Sequence, residues 1–275
     1  MAGTLYIVAT PIGNLEDVTL RAIRVLKEVD LIAAEDTRHT RKLLAHYGIA
    51  TRLDSYYDEV EAEKAALLVK QLKSGKNIAL VSDAGTPTLS DPGFRLVREA
   101  ILAAIPVVPV PGPSALVAVL SVSGLPTDRF VFEGFLPEKR RGRRNRLQRL
   151  RQEERSMVFY EAPHRLRETL EDMLELFGDR EMAFGREVTK LHEEFVRGRF
   201  SEATAAVDRK EPRGEITLVV AGFAGEKIPL EDVIRIEIKE LRQKGLRVKE
   251  IAEVLGEKFS YPKKDIYRLI LERDK

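Results

Sequence analysis

Apolar positions in the first half of the chain follow two alternating rhythms. LYIVAT (Leu5–Thr10) is a short, continuous apolar run of the kind a doubly covered strand shows, and it leads into Pro11–Gly13. Leu20, Ile23 and Leu26 then recur at helical spacing. The same succession returns with a strand at Asp30–Ala34, a helix marked by Ala65, Leu68 and Leu72, a strand at Asn77–Ser82 and a strand at Pro106–Val110. Strands separated by helices predict parallel pairing with right-handed crossovers.

The rhythm changes after SVSGLPTD (Ser121–Asp128), where turn formers gather without periodicity and a linker is expected. RFVFEGF, SMVFYEA, REMAFGREV, EFVRGRFS and GEITLVVAG supply five strand candidates with only two or three helices between them. Some of these strands must pair antiparallel. From Gly225 onward the pattern is helical, with Ile234, Ile238 and Leu241 in one stripe and Val248, Ile251 and Leu255 in another. Gly256 is expected to end that second helix, and Pro262 to open a third. The expected division is therefore 1–120, a parallel α/β domain; 121–224, a mixed α/β domain; and 225–275, a trihelical, helix-turn-helix-like segment.

Composition narrows the chemistry. A chain of 275 residues with 44% apolar content can bury a substantial core. The absence of cysteine excludes disulfides, thiolate metal sites and a thiol nucleophile. His39, His46, His164 and His192 show no i, i+4 pairing, so no metal centre is expected. No apolar run approaches the roughly 20 residues that span a bilayer, and a soluble, cytoplasmic protein is expected. The net charge of +2 is no general polyanion signal, but Lys139 to Arg151 holds eight basic residues and no acidic one.

Functional loops of a parallel sheet lie at the carboxyl ends of its strands. Here those ends read ATPIGNLEDVT, AEDTRHTRKLL, SDAGTPTLSDPG and VPGPSA. Glycine and proline there bring bare backbone close to a ligand, while Asp83 and the backbone of Gly85–Thr86 suit an adenosine or amino-acid group. Neither G-x-G-x-x-G nor G-x-x-x-x-G-K-[ST] occurs, which argues against a phosphate cradle. In the second of these ends, Glu35, Asp36 and Arg38 form either an acceptor-binding cluster or, through Asp36 or Thr37, a simple helix cap.

These runs, together with FEGFLPEK and FYEAPHRL, resemble the signature segments of the tetrapyrrole methylase superfamily, in its branch that methylates small-subunit (16S) ribosomal RNA. The resemblance implies two α/β domains with S-adenosyl-L-methionine in the cleft between them, usually in a homodimer. It implies cofactor contacts at Pro11, at Asp83, Ala84, Gly85 and Thr86, and at Ser114 and Ala115, with Tyr160, Ile216 and Thr217 less directly. It also implies transfer of a methyl group to the ribose 2′-hydroxyl of a cytidine in the decoding region of the ribosomal subunit. PIGN in the first loop departs from the glycine-rich loop of the porphyrinoid-methylating branch. A tetrapyrrole methyltransferase, or a helix-turn-helix regulator with a sensor domain, are the competing readings.

A neutral hydroxyl is a poor nucleophile, and Asp36, Glu161 and His164 are candidates to accept its proton. The arginine-rich segment is expected to form a helix with Leu147 and Leu150 on one face. Its other face would offer Lys139, Arg140, Arg141, Arg143 and Arg144 to phosphates, since the guanidinium fork matches phosphate oxygens. Arg38, Arg165 and Lys190 are further candidates for RNA contact, and Glu187, Lys190 and Glu193, together at a strand end, are either acceptor-site candidates or an ordinary exposed charge network.

Overall fold

A computed structural model describes residues 1–57, 61–209, 214–225, 230–259 and 261–271. Its first layer system contains β1 (Leu5–Val8), α1 (Leu20–Glu28), β2 (Leu31–Ala34), α2 (Thr37–His46), β3 (Leu53–Ser55), α3 (Glu61–Lys73), β4 (Ile78–Val81), α4 (Phe94–Leu102) and β5 (Val107–Val110). The five strands pair in parallel in the order β3-β2-β4-β1-β5. Alternate residues feed two cores. Leu5, Leu31, Ala33, Ile78 and Leu80 pack on α3 and α4. Val8, Ile32, Ala34, Ala79 and Val81 pack on α1 and α2. Both faces of β2 and β4 are thus buried, which explains their unbroken apolar sequences. β3 escapes the sequence pattern because Leu53–Ser55 is three residues long and lies at the sheet edge.

The second system contains α5 (Ala115–Val122), β6 (Phe130–Phe135), α6 (Arg140–Leu150), β7 (Ser156–Glu161), α7 (Leu166–Phe177), β8 (Glu181–Arg186), β9 (Glu194–Arg199), α8 (Phe200–Arg209) and β10 (Ile216–Val220). The sheet order is β6-β7-β10-β8-β9, and only β6 and β7 run parallel. β10 occupies the centre and is buried along its whole length. One face carries α6, α7 and α8 through Leu147, Leu170, Phe177 and Phe200. The other face carries α5, whose Leu116, Val119 and Leu120 meet Val158 and Val219. By packing, α5 belongs to the second sheet, so the change of layer falls at Pro111–Ser114, before the expected linker.

The last segment is α9 (Leu230–Gln243), α10 (Val248–Phe259) and α11 (Lys263–Leu271), closed around Ile234, Ile238, Ile251, Leu255, Ile266 and Leu269. Gly256 does not end a helix: α10 continues to Phe259. A Cβ at Gly256 would lie 3.2 Å from Lys263 Cγ, so the small residue serves the close approach of the third helix. Arg141 of α6 reaches Glu257 of α10 at 2.6 Å and ties this segment to the body. Among the described residues, no helix is long and apolar enough to cross a membrane.

Candidate active site between the two sheets

The strand-end loops of both sheets meet around a cavity of roughly 500 Å³. The first sheet contributes Ile12, Glu35, Asp83–Thr86 and Leu89–Asp91, and the turn into α5 contributes Ser114 and Ala115. The second contributes Phe135, Tyr160–Pro163, Glu187, Val188, Lys190 and Gly214–Thr217.

Backbone pairing fixes the first wall. Thr10 and Gly85 exchange N–H···O bonds at 2.8 and 3.0 Å, joining the loops after β1 and β4. The Thr86 hydroxyl donates to Pro113 O at 3.2 Å, tying the loop after β4 to the turn into α5. Asp83 Oδ1 accepts the Asp36 N–H at 2.9 Å, and Asp83 N–H donates to Glu35 at 3.4 Å. The second wall holds Tyr160 edge-on to Phe132, with ring centroids 5.0 Å apart. Burial pushes the Tyr160 hydroxyl above its ordinary pKa, although contacts with Leu116 and Ser114 oppose the shift.

The loop after β8 is built under strain. Glu187 and Thr189 adopt φ +51° and +66°, a left-handed region costly for residues with a side chain. Thr88 and Ser90 do the same across the cavity, at φ +75° and +67°. A Cβ added at Gly13 would lie 2.4 Å from Lys190 Cγ and 2.9 Å from Thr189 Oγ1, so the first loop packs bare backbone on this one. A Cβ at Gly214 would meet Glu187 Oε1 at 1.8 Å. Lys190 Nζ lies 2.9 Å from Glu187 Oε1 and 3.9 Å from Glu215 Oε2.

Charged residues of the lining are unbalanced. Glu35, Asp83, Asp91, Glu161, Glu187 and Glu215 face one cation, Lys190. Such a cavity favours a cationic ligand group and opposes a phosphate.

Sequence reading anticipated Asp83, Ala84, Gly85, Thr86, Ser114, Ala115, Tyr160, Ile216, Thr217, Glu161 and Lys190, and the fold brings all of them to this cavity. Pro11 is not among the lining residues; its neighbour Ile12 is. Asp36 is also outside the lining. Its carboxylate caps α2 by accepting the Arg38 N–H at 2.7 Å and is gripped by the Arg38 guanidinium at 2.8 Å, contacts that hold it well below the usual carboxylate range. His164 is exposed and does not reach the lining. Glu161 lines the cavity, but its buried carboxylate accepts from Thr169 at 2.6 Å and from Ala162 N–H at 2.9 Å and lies 3.3 Å from Arg165. Arg165 donates to Leu136 O and Pro137 O, a packing role.

The arginine helix also differs from expectation. Arg143 stands one turn before Leu147, on the buried stripe, and is 1% exposed. Its guanidinium bridges Asp172 at 2.8 Å and Glu168 at 3.0 Å. Arg140 and Arg144 converge on the same Asp172, and Arg144 adds Glu175. Arg141 pairs with Glu257, and Lys139 is exposed. This cluster therefore consists mainly of arginines already paired to carboxylates, Arg143 being sealed off altogether. α2 offers a different surface. Thr40, Leu43 and Leu44 face inward, while Arg38, Arg41 and Lys42 share the opposite face beside the cavity residue Glu35, with no acidic residue on the helix.

Sequence reading left out Leu89, Ser90, Asp91, Phe135 and Gly214. Their signals were the second half of SDAGTPTLSDPG, the FEGFLPEK run that contains Phe135, and a glycine at the start of a strand pattern.

The model of the Tetrapyrrole (Corrin/Porphyrin) Methylases matches residues 4–204. The chain is 50% identical over 273 residues to the ribosomal RNA small subunit methyltransferase I of Synechocystis sp., covering 98% of each chain. It is 51% identical to the protein of the same name from Thermotoga maritima, which covers 80% of this chain and 99% of its own length. Among solved structures, uroporphyrin-III C-methyl transferase from Thermus thermophilus complexed with S-adenyl homocysteine aligns with TM-score 0.55 at 24% identity, over 80% of this chain and 97% of that one. A conserved hypothetical protein from Aeropyrum pernix K1 aligns with TM-score 0.64 at 15% identity, over 99% of this chain and 96% of that one. These two likenesses concern the fold.

Proposed function

The chain belongs to the tetrapyrrole methylase family, and on that premise we propose that it is an S-adenosyl-L-methionine-dependent methyltransferase acting on a cytidine ribose 2′-hydroxyl of small-subunit ribosomal RNA. The observation that carries the reading is the carboxylate-rich cavity, set in a fold whose near full-length relatives bear that ribosomal RNA methyltransferase name.

The residues present suit this cofactor. The cavity's volume falls within the usual small-ligand range. Its carboxylates favour the sulfonium and ammonium charges, and the loop glycines leave room for the adenosyl group. Asp83, Ala84, Gly85, Thr86, Ser114, Ala115, Tyr160, Ile216 and Thr217 would hold it. When bound, S-adenosyl-L-methionine supplies an already activated methyl group. The chain's own task is to align the acceptor, exclude water and take up a proton.

The acceptor strand is an RNA, and α2 is the surface best suited to its phosphates. Arg41 and Lys42 point outward together, with Arg38 on the same face paired to the capping Asp36. The pairings of Arg140, Arg143 and Arg144 with α7 give them a primarily architectural role. The protein works in the cytoplasm as a homodimer; the exposed Phe94, Ile101 and Leu102 of α4 are one apolar group on its surface that such a contact would cover.

Alkaline digestion of RNA labelled by the purified protein tests the acceptor. A methylated 2′-oxygen cannot attack the neighbouring phosphate, so label appears in an alkali-stable dinucleotide. Label found only in mononucleotide bases rejects the ribose assignment.

A further inference from the structure

We propose that Glu187 is the catalytic proton acceptor, held in place by Lys190. The assignment rests on the methyltransferase reading above and replaces the three acceptor candidates read from the sequence. Asp36 is spent on capping α2 and pairing with Arg38, Glu161 on Thr169, Ala162 and Arg165, and His164 does not line the cavity.

Glu187 lines the cavity and, among the described residues, carries one side-chain contact of this kind, the Lys190 ammonium at 2.9 Å. It follows β8 directly and lines the cavity on the second-sheet wall, opposite the Asp83 loop. Its backbone is held at φ +51°, and that of Thr189, two residues on, at φ +66°. Strain of this kind persists only where the surroundings over-determine it, and it concentrates at working sites. Those surroundings are visible. Glu187 N–H donates to Glu215 O at 3.3 Å, and Thr189 N–H donates to Glu193 at 2.7 Å. The carboxylate lies over Gly214, where any side chain would displace it. Thr189 Oγ1 is buried without a hydrogen-bond partner among the described residues, as expected of a loop shaped for something other than its own comfort.

The charges around it fit the task. Lys190 Nζ, 2.9 Å from Oε1, holds the carboxylate in position; Glu215, 3.9 Å from the same ammonium, shares that cation. Glu35, Asp83, Asp91 and Glu161 complete the titratable lining. In the step, the acceptor oxygen bonds to the methyl carbon of the sulfonium donor and the methyl–sulfur bond breaks, its electron pair remaining on sulfur. The hydroxyl proton passes to Glu187 and then to solvent. As the bond forms, the oxygen becomes far more acidic, so a carboxylate is basic enough.

Glu187→Gln keeps the shape and removes the base. With RNA and S-adenosyl-L-methionine saturating, kcat should fall about a hundredfold, the magnitude typical of a lost general base. The dissociation constants for S-adenosylhomocysteine and for RNA, measured by calorimetry, should stay within about twofold. Glu187→Asp should recover part of kcat, and the fall in rate on the acid side of the wild-type profile should vanish in Glu187→Gln. A kcat unchanged in Glu187→Gln overturns the assignment, and so does a tenfold weaker cofactor affinity with kcat retained. A wild type that binds the cofactor yet methylates no RNA overturns the functional reading itself.

Discussion

Arg143 and Asp172 meet at 2.8 Å with side chains 1% and 0% exposed, a buried ion pair that joins α6 to α7. Burial pushes the Asp172 carboxyl upward, but hydrogen bonds from Arg143, Arg144 and Arg140 outweigh it and leave the pKa lowered. Removing the Asp172 charge leaves the buried Arg143 with Glu168 as its remaining carboxylate and takes a shared partner from Arg140 and Arg144. Asp172→Asn should therefore cost about 3–5 kcal/mol in urea unfolding. Because the folded pKa is depressed, the wild-type contribution is complete above the ordinary carboxylate range and is lost as pH falls through the folded value. The gap between wild type and Asp172→Asn should accordingly narrow in acid; a gap independent of pH would contradict the pair's role.

The two basic helices make opposite predictions for RNA binding. Arg41→Gln with Lys42→Gln should weaken RNA binding and lower the slope of log affinity against log salt by about 1.4, at roughly 0.7 per contact on a single strand. Arg143→Gln should leave that slope unchanged while lowering the melting temperature. Filter binding across a salt series separates the outcomes. A slope unmoved by the α2 changes would exclude that helix from the interface.

Much of this arrangement was legible because glycine and proline mark where a chain must turn. SDAGTPTLSDPG and PGPSA announced two loops of the cavity's first wall in advance. The burial of Arg143 was also available in principle, since residues 143, 147 and 150 share a stripe. Reading the arginines as one exposed face obscured it. Asp172 was not legible as their partner, because it lies 29 residues beyond Arg143 and the meeting depends on how α6 packs on α7. Glu187 over Gly214 is likewise a product of two loops on neighbouring strands. Local pattern locates turns; it does not say which turns will face each other.

Gly13 is where those two levels meet. Gly13→Ala would press its methyl on Lys190 Cγ, Thr189 Oγ1 and Val188 O. The expected result is a cofactor dissociation constant raised at least about tenfold, or 1.4 kcal/mol, with a smaller loss of folding stability. Calorimetry beside a thermal melt checks both. Retained affinity would show that the loops separate without consequence.

Asp83 ties the cavity to the start of α2 through the Asp36 N–H. Asp83→Ala should abolish or severely weaken S-adenosyl-L-methionine binding, whereas Pro11→Ala, outside the lining, should alter it less than threefold. Reversal of that order in titration calorimetry would move the cofactor to the β1 side of the cleft.

The position of β10 bears on how the chain is made. Among the described residues it is the last strand in chain order, yet it lies between β7 and β8. The parallel sheet can close once Val110 has emerged; its neighbour must wait more than a hundred residues further, with two apolar strand edges unpaired meanwhile. A nascent chain stalled before Ile216 would carry one finished half and one open template for aggregation. Cofactor binding would then be gained abruptly, once β10 has entered its sheet.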